Sequence, residues 1–580
     1  MPEPPERRAV DSSQSGEFDP TDNSARAVHD DSDSRIWRNA VFADAIEWAA
    51  EVHGQREALV CEGQRITYDE LAERVRAFAR GLVDLGVEPG EHVCLWMSDR
   101  IEWMVARWAV PYVGAVLIPL NTRFRDADTG YILKQSDSVM LIVEDGFENI
   151  SYFAILARLV PDWRDQLPDR WCVSELPRLR KVVGLGADLP PGMVPFEKVE
   201  ALGREQLPKD DLLESRRESV RPDDIAQLLY TSGTTSLPKG AMVRHGALLQ
   251  NNRNTVDRLR LGPDDRFLAP VPLFTATGTG YTLSTLFAGG AFVIGRRFTP
   301  ESFCRLLQDE KITFTFFVDT MVRDLQDFDA LGSYDYTHLR TGAGGPLSPA
   351  GLRWVVEAFG ADEMCNVYGM SETSNAIARS WWYEPLDLRA DTNGLPVEGV
   401  SVRIVDAESG VEMPTGSIGE IRVSGYTVMA GYYNRPEENA AAFDEEGWLR
   451  TGDLGEMTDD GHLVFRGRLK EMIKPSGFNV ATLEIEDFVN RYPGVGEAFV
   501  VGVPDRRLGE AAFVFVKPRP GQSVDADALI EHCREHIAGY KVPRHVRIVD
   551  AFPMTGSGKV RRLELKEEAR RLVEQKVADT

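Results

Sequence analysis

The chain has 580 residues, 43% of them hydrophobic and 27% charged, the balance of an ordinary globular protein with room for two or more domains. A formal net charge of −25 excludes a general binder of nucleic acid or of an anionic membrane surface, because a phosphate backbone would be repelled overall. No apolar run is long enough to span a bilayer, no basic-then-apolar leader opens the chain, and the six cysteines are scattered without zinc-like spacing, which predicts a reducing, cytoplasmic setting and no membrane insertion.

Residues 1–35 are polar, acidic and poor in large apolar side chains, so they are expected to form a disordered tail. Order is expected from Ile36. The stretch "ITYDELAERVRAFARGLVDLG" predicts a helix with a Thr67/Glu70 capping box, an apolar face of Leu71, Val75, Phe78, Leu82 and Leu85, and a stop at Gly86. "EHVCLWM", "DRIEWMVARWAVPYVG" and "AVLIPL" follow as strand, helix and strand, the signature of a parallel α/β unit. "DSVMLIVE", "DIAQLLY", "DRFLAPVPL", "AFVIG" and "KITFTFFV" are further buried-strand candidates. From Asn393 to Phe465, short alternating segments broken by Gly, Pro and Asp predict antiparallel β structure. After Arg468, helices and strands mix in a compact α+β block.

Between "DIAQLLY" and a helix from about His245 lies "TSGTTSLPKGAM". Glycines that bare the backbone amides, five hydroxyls and Lys239 make a natural cradle for phosphate oxygens, although the spacing is not that of a Walker loop. Further along come "GAGGPL" (Gly342 to Leu347), "YGMSE" (Tyr368 to Glu372), "TGD" (Thr451 to Asp453), "FRGRLKEMIKPSGFNV" (Phe465 to Val480) and "PMTGSGKVRR" (Pro553 to Arg562). In this order the set resembles the adenylate-forming superfamily of acyl-CoA synthetases, luciferases and peptide-synthetase adenylation domains, over a span from about residue 40 to the C-terminus.

The resemblance implies a large N-terminal domain (36–469) of stacked α/β subdomains plus a β-rich subdomain. A small, mobile α+β lid domain (470–580) follows, hinged at Lys470. It implies a ligase that joins a carboxylic acid to AMP, using ATP and Mg2+, and then passes the acyl group to CoA. Thr231, Ser232, Gly233, Thr234, Thr235 and Lys239 would cradle the phosphates, and Glu372 would hold Mg2+. Ser371 would place its hydroxyl near the α-phosphate. Tyr368, Gly344 and Gly345 would lie at the adenine, with Asp453 and Arg468 at the ribose. Lys559 would bridge the acid and the α-phosphate. Gly477 would leave room for the pantetheine arm of CoA, with Lys474 beside it. Phe274, Thr275, Gly278, Gly342 and Ala343 would line the acyl pocket, for which small residues such as Gly280 imply a roomy channel, and "SWWYEP" lines or flanks it.

Three positions depart from the family pattern: Ser236 stands where glycine is usual, Thr275 where histidine is common, and Gly345 where alanine is common. Ser236 raises the alternative of an enzyme that adenylates poorly and accepts a preformed acyl-adenylate. A carrier-protein thiol in place of CoA, and a catalytically silent binding protein, are the other readings. The sequence does not name the acid.

Overall fold

The computed structural model describes residues 34–168, 171–209, 211–231, 237–345, 347–475, 480–554 and 560–578. The expected tail up to residue 33 lies outside them, as do Ser232, Gly233, Thr234, Thr235, Ser236, Gly477 and Lys559.

The long apolar runs become the inner strands of two large sheets. The first orders its seven strands Lys239–Arg244, Ile225–Thr231, Val116–Pro119, His92–Trp96, Met140–Glu144, Lys181–Leu185 and Val194–Pro195. All neighbours are parallel except the first pair. The three central strands are buried at every position, as strands covered on both faces must be. His92–Trp96, the helix Ile101–Tyr112 and Val116–Pro119 form the expected unit, with His92 opposite Val116 in parallel register.

The second sheet orders nine strands: Leu395–Pro396, Asn375–Arg379, Glu363–Met370, Thr341–Gly344, Phe314–Phe317, Arg266–Ala269, Ala291–Ile294, Glu57–Cys61 and Gln64–Thr67. Its middle is parallel and its two ends are antiparallel. The helix Tyr68–Asp84 starts as the sequence predicts. Thr67 Oγ1 accepts from Glu70 N–H at 3.2 Å and Glu70 Oε2 accepts from Thr67 N–H at 2.8 Å. Gly86 follows at φ +81°.

One element departs from the sequence reading, which ran the Gly/Ser/Thr stretch straight into a helix. The structure inserts the strand Lys239–Arg244, folded back on Ile225–Thr231 with Lys239 opposite Thr231. Its outer edge is paired from far away in the chain. Met242 N–H donates to Gly431 O, Ala430 N–H to Met242 O, and Tyr433 N–H to Gly240 O. Those partners lie about 190 residues on, so local periodicity carries no sign of them.

The strands Val400–Val405, Gly419–Gly425, Leu449–Met457 and Leu463–Arg468 form the expected antiparallel meander. The last block packs the helices Thr482–Val489, Ala526–His536 and Arg562–Ala578 around a sheet of Val495–Asp505, Gly509–Pro518 and His545–Ile548. It has its own apolar core around Val489, Val514 and Leu529. Arg562 grips the buried Glu486 with two hydrogen bonds of 2.6 and 2.8 Å. The whole is therefore α/β with a β-rich meander and a small α+β C-terminal unit.

The two large sheets are tied at Asp99, just past the strand His92–Trp96. Its Oδ1 accepts from Leu273 N–H at 3.1 Å, on the segment leaving the nine-stranded sheet. Burial pushes the Asp99 carboxyl up to about 7; the Glu144 charge adds to the rise and Arg296 opposes it. An unfolded Asp titrates near ~3.9. Between about pH 4 and 7 the folded protein therefore keeps a proton that the unfolded chain has lost, and stability falls as pH rises through that window. Asp99→Asn keeps an acceptor oxygen and should flatten this fall in denaturant titrations from pH 5 to 8. An unchanged pH slope would show that Asp99 is not its source.

Candidate active site

Asp453 lies directly across from Arg468 in the antiparallel pair Leu449–Met457/Leu463–Arg468. Gly452, at φ +67°, makes the local backbone turn before it. The carboxylate is 3% exposed. Oδ2 accepts from the Tyr368 hydroxyl at 2.8 Å. Oδ1 stands 3.1 Å from Arg468 Nε as an ion pair, yet no described donor is aligned to hydrogen-bond it. A buried carboxylate oxygen is thus left with open accepting capacity. Burial raises the Asp453 pKa, the Arg468 charge opposes that rise, and Glu372 and Glu471 add to it. Burial, then Asp453, also lifts the Tyr368 hydroxyl well above its usual range, so it remains a donor. One face of the Tyr368 ring is stacked on Phe465 at 5.5 Å.

Glu372 sits in a single 3-10 turn, Ser371–Thr373, that ends the strand Glu363–Met370. The next two residues are non-glycine at positive φ, Ser374 at +57° and Asn375 at +120°. Such backbone costs on the order of 1–3 kcal/mol per residue and persists only where the surroundings fix it. Here Ser374 Oγ donates to Thr427 O at 2.7 Å and Asn375 Nδ2 to Asn252 Oδ1 at 3.0 Å. Glu372 Oε1 accepts from the Tyr432 hydroxyl at 2.9 Å. Lys239 Nζ lies 4.6 Å from the centre of the same Tyr432 ring. The cross-strand pairing of Ala241 with Tyr432 brings them together. Lysine, tyrosine and glutamate therefore form one line from the hairpin to the turn.

Lys470 follows Arg468 within the 3-10 turn Leu469–Glu471. Burial lowers its pKa, with Arg468 and Lys239 adding and Glu471 and Asp453 opposing. Lys239, Asp453, Arg468 and Lys470 thus share one electrostatic neighbourhood. Lys474 does not face it: its ammonium pairs with Glu408 at 2.8 Å, and the Glu408 hydrogen bond raises its pKa. Lys559 lies outside the described residues; Met554 and Val560, on either side of it in the chain, pair in an isolated antiparallel bridge. Three residues on, Arg562 Nε is 3.2 Å from Glu471 Oε2, next to Lys470.

The acyl-side residues correct the expectation of a roomy channel. Gly278 and Gly342 are tight-packing positions: a Cβ there would lie 2.3 Å from Pro272 O and 2.2 Å from Thr315 O. At Gly280 it would lie 2.3 Å from Asn375 Nδ2, at Gly344 2.2 Å from Leu347 Cδ2, and at Gly345 2.8 Å from Val367 O. Ala343 is wholly buried. Thr275 caps the helix Ala276–Ala288, its Oγ1 accepting from Gly278 N–H at 3.0 Å, while Phe274 is half-buried beside it. "SWWYEP" flanks this region: Trp381 and Trp382 cover Arg258 and Arg260 at 4.3 and 4.4 Å, and Tyr383 is exposed. Tyr432, Asn252 and Asn375 are site residues that the sequence reading missed. Tyr432 carries no local signal, since its partners are remote in the chain.

A half-paired carboxylate, a lysine and a glutamate, set where a parallel α/β domain meets a small C-terminal unit, are groups of the kind that hydroxyls and phosphates can use. Residues 46–433 match the AMP-binding enzyme family and 484–559 the AMP-binding enzyme C-terminal domain. The putative acyl-CoA synthetase YngI of Bacillus subtilis is 34% identical over 90% of this chain and 96% of its own. The 3-[(3aS,4S,7aS)-7a-methyl-1,5-dioxo-octahydro-1H-inden-4-yl]propanoyl:CoA ligase of Rhodococcus jostii is 31% identical over 90% of this chain and 98% of its own. Among solved structures, ATP-bound MatB from Rhodopseudomonas palustris superposes with a TM-score of 0.78 at 28% identity, over 91% of this chain and 99% of its own. The anthranilate CoA ligase AuaEII in complex with anthranoyl-AMP gives 0.78 at 25%, over 92% and 98%. The chain belongs to the AMP-binding enzyme family of the adenylate-forming superfamily and is an enzyme of the acyl-CoA synthetase type.

Asp453→Ala removes the acceptor left open on Oδ1. Hydrogen bonds to a charged group contribute roughly 1.5–3 kcal/mol, so AMP affinity measured by calorimetry should fall about 10- to 100-fold. An unchanged affinity would remove Asp453 from the nucleotide site.

Proposed function

We propose that the protein is a carboxylic acid–CoA ligase that works through an acyl-adenylate. In the first half, a carboxylate oxygen of the acid attacks the α-phosphorus of ATP. A C–O–P linkage forms, the bond to the β-phosphate breaks, and pyrophosphate leaves. In the second half, the CoA sulfur attacks the acyl carbon. The thioester forms, AMP leaves, and the thiol proton goes to solvent. The observation that carries this reading is the open Oδ1 of the buried Asp453 beside the Lys239–Tyr432–Glu372 line, which suits ribose hydroxyls at one end and phosphates at the other.

In this reading Asp453 and Arg468 hold the ribose, and Tyr368 fixes the carboxylate that does so. Lys239 and the residues of the preceding loop take the β- and γ-phosphates. Glu372 offers its second oxygen to Mg2+; among the described residues no group of three or more His, Cys, Asp or Glu could hold a metal. The remaining ligands would be phosphate and water oxygens, which a hard cation accepts, and the bound ion would neutralise phosphate charge. Lys559 bridges the acid and the α-phosphate and offsets the repulsion between two anions. Rotation about Lys470 would withdraw Lys559 and bring up the Lys474–Gly477 face for the thiol step.

A paired assay tests this. Acid, ATP and CoA should yield acyl-CoA, AMP and pyrophosphate, and synthetic acyl-adenylate with CoA should yield acyl-CoA. Lys559→Ala should lower the first rate by about two to three orders of magnitude and leave the second largely intact. Equal loss in both would remove Lys559 from the adenylation step. Turnover of acyl-adenylate by the unaltered protein, with no acid activated by ATP, would establish the adenylate-accepting alternative. Thioester formed on a carrier protein and not on CoA would reassign the acceptor.

A further inference from the structure

The helix Asp126–Gln135 contributes no residue to the site described above, yet its C-terminal half is bonded to both chain segments that carry the phosphate-side residues. The Tyr131 hydroxyl donates to Pro238 O at 3.1 Å, one residue before Lys239. Gln135 Oε1 accepts from the hydroxyl of Tyr230, on the first strand of the same hairpin, and Gln135 Nε2 donates to Tyr433 O at 2.8 Å. Tyr433 N–H in turn donates to Gly240 O, one residue after Lys239. The carbonyls on either side of Lys239 are therefore both held, one by the helix itself and one through Tyr433. Gly240 also packs closely on the Tyr230 ring, where a Cβ would stand 3.1 Å from Cε2.

The same end of the helix holds the chain on the far side of Tyr432. Asp137, just past the helix, accepts at Oδ2 from the Tyr433 hydroxyl at 3.0 Å and from Asn434 Nδ2 at 3.3 Å. Asp137 stands at φ +51°, a position after a helix end that glycine ordinarily takes, and the side chain that glycine lacks makes both contacts. Arg435 Nη2 donates to the Tyr131 hydroxyl, so that hydroxyl links Arg435 to Pro238 O. A hydroxyl that accepts from a cation is polarised and donates more strongly. On its other side, Tyr432 follows Gly431, whose carbonyl accepts from Met242 N–H. Lys239 and Tyr432 are thus each fixed before and after by bonds that lead to one helix or to the hairpin.

We propose that Tyr131 and Gln135 are positioning residues for the β- and γ-phosphates of ATP. They touch neither substrate nor reacting atoms, and they act by holding the backbone that carries Lys239 and Tyr432. This rests on the ligase reading above, which puts those phosphates at Lys239, and adds the residues that set the lysine there. A lysine ammonium sits on a flexible four-carbon stem. Fixing the backbone on both sides of it reduces the freedom lost when the ammonium meets a phosphate. The ribose end, at Asp453, is built from other elements and does not draw on this helix. ATP and AMP share the ribose and the α-phosphate, so slackening the helix contacts should weaken ATP and spare AMP.

The test measures dissociation constants of the full chain for ATP with Mg2+ and for AMP by calorimetry, without acid, in the unaltered protein and in Tyr131→Phe and Gln135→Leu. Tyr131→Phe keeps the ring and removes the donor to Pro238 O, and Gln135→Leu leaves the Tyr230 hydroxyl unanswered. One net hydrogen bond shifts an equilibrium by about three- to tenfold, so the ratio of the ATP constant to the AMP constant should rise by about that factor in each variant. Loss of folded protein lowers the apparent stoichiometry and not this ratio. Tyr336→Phe is the control for a purely structural role: it removes a tyrosine hydroxyl that donates to Leu331 O at 2.6 Å elsewhere in the chain, and should leave the ratio unchanged. A ratio unmoved in either helix variant, or moved equally in Tyr336→Phe, overturns the proposal and leaves the ligase reading standing. A ratio that rises as expected in a protein that turns no acid into adenylate or thioester keeps the proposal and overturns the ligase reading. Absence of ATP binding by the unaltered protein overturns both.

Discussion

Asp453 holds a carboxylate where burial disfavours its charge, and much of the site follows from how that cost is met. Tyr368 comes from the nine-stranded sheet, Arg468 from the meander, and the Leu469–Glu471 turn from the junction with the C-terminal unit. Arg468 and Tyr368 stabilise the charge but leave Oδ1 without an aligned donor. A fully satisfied carboxylate would be a structural element and nothing more. A half-satisfied one gains when a ligand supplies hydroxyls, so the energy left unrealised in the folded chain becomes available to binding.

The turn that carries Glu372 and the helix Ala276–Ala288 meet at strained backbone. Ser374 and Asn375 hold positive φ because their side chains are pinned to Thr427 and Asn252. Asn375 in turn occupies the space that a side chain at position 280 would need. The glycines of the Ala276–Ala288 helix are therefore there for close packing and not for an open channel.

The C-terminal unit meets the large one in part through ion pairs. Arg323 and Glu497 stand at 2.6 Å and Lys474 and Glu408 at 2.8 Å, the second pair largely exposed. An exposed ion pair contributes roughly 0–1 kcal/mol, so Lys474–Glu408 holds the pose lightly, and Arg323–Glu497 is the better sheltered of the two. The inside of the unit is fixed far more firmly, by its apolar core and by Arg562 clamped between Glu486 and Glu471.

The sequence by itself determined the parallel α/β core, the meander and the α+β end block. Buried strands need unbroken apolar runs and exposed meanders need alternation, and both patterns are local. It also marked Glu372, Asp453 and Arg468, because their motifs are short and contiguous. Tertiary structure alone decided that Lys239 sits on a strand, that Tyr432 joins it to Glu372, and that Lys474 faces Glu408. Each of those contacts is made between segments that lie tens to hundreds of residues apart. The same holds for Gly278, Gly280 and Gly342: a sequence shows that a side chain is absent, but only the packed chain shows what fills its place. Arg379 is the sharpest case. In "NAIAR" it is a polar residue closing an apolar strand, and its burial, with no ion pair among the described residues, exists only once distant elements have closed around it.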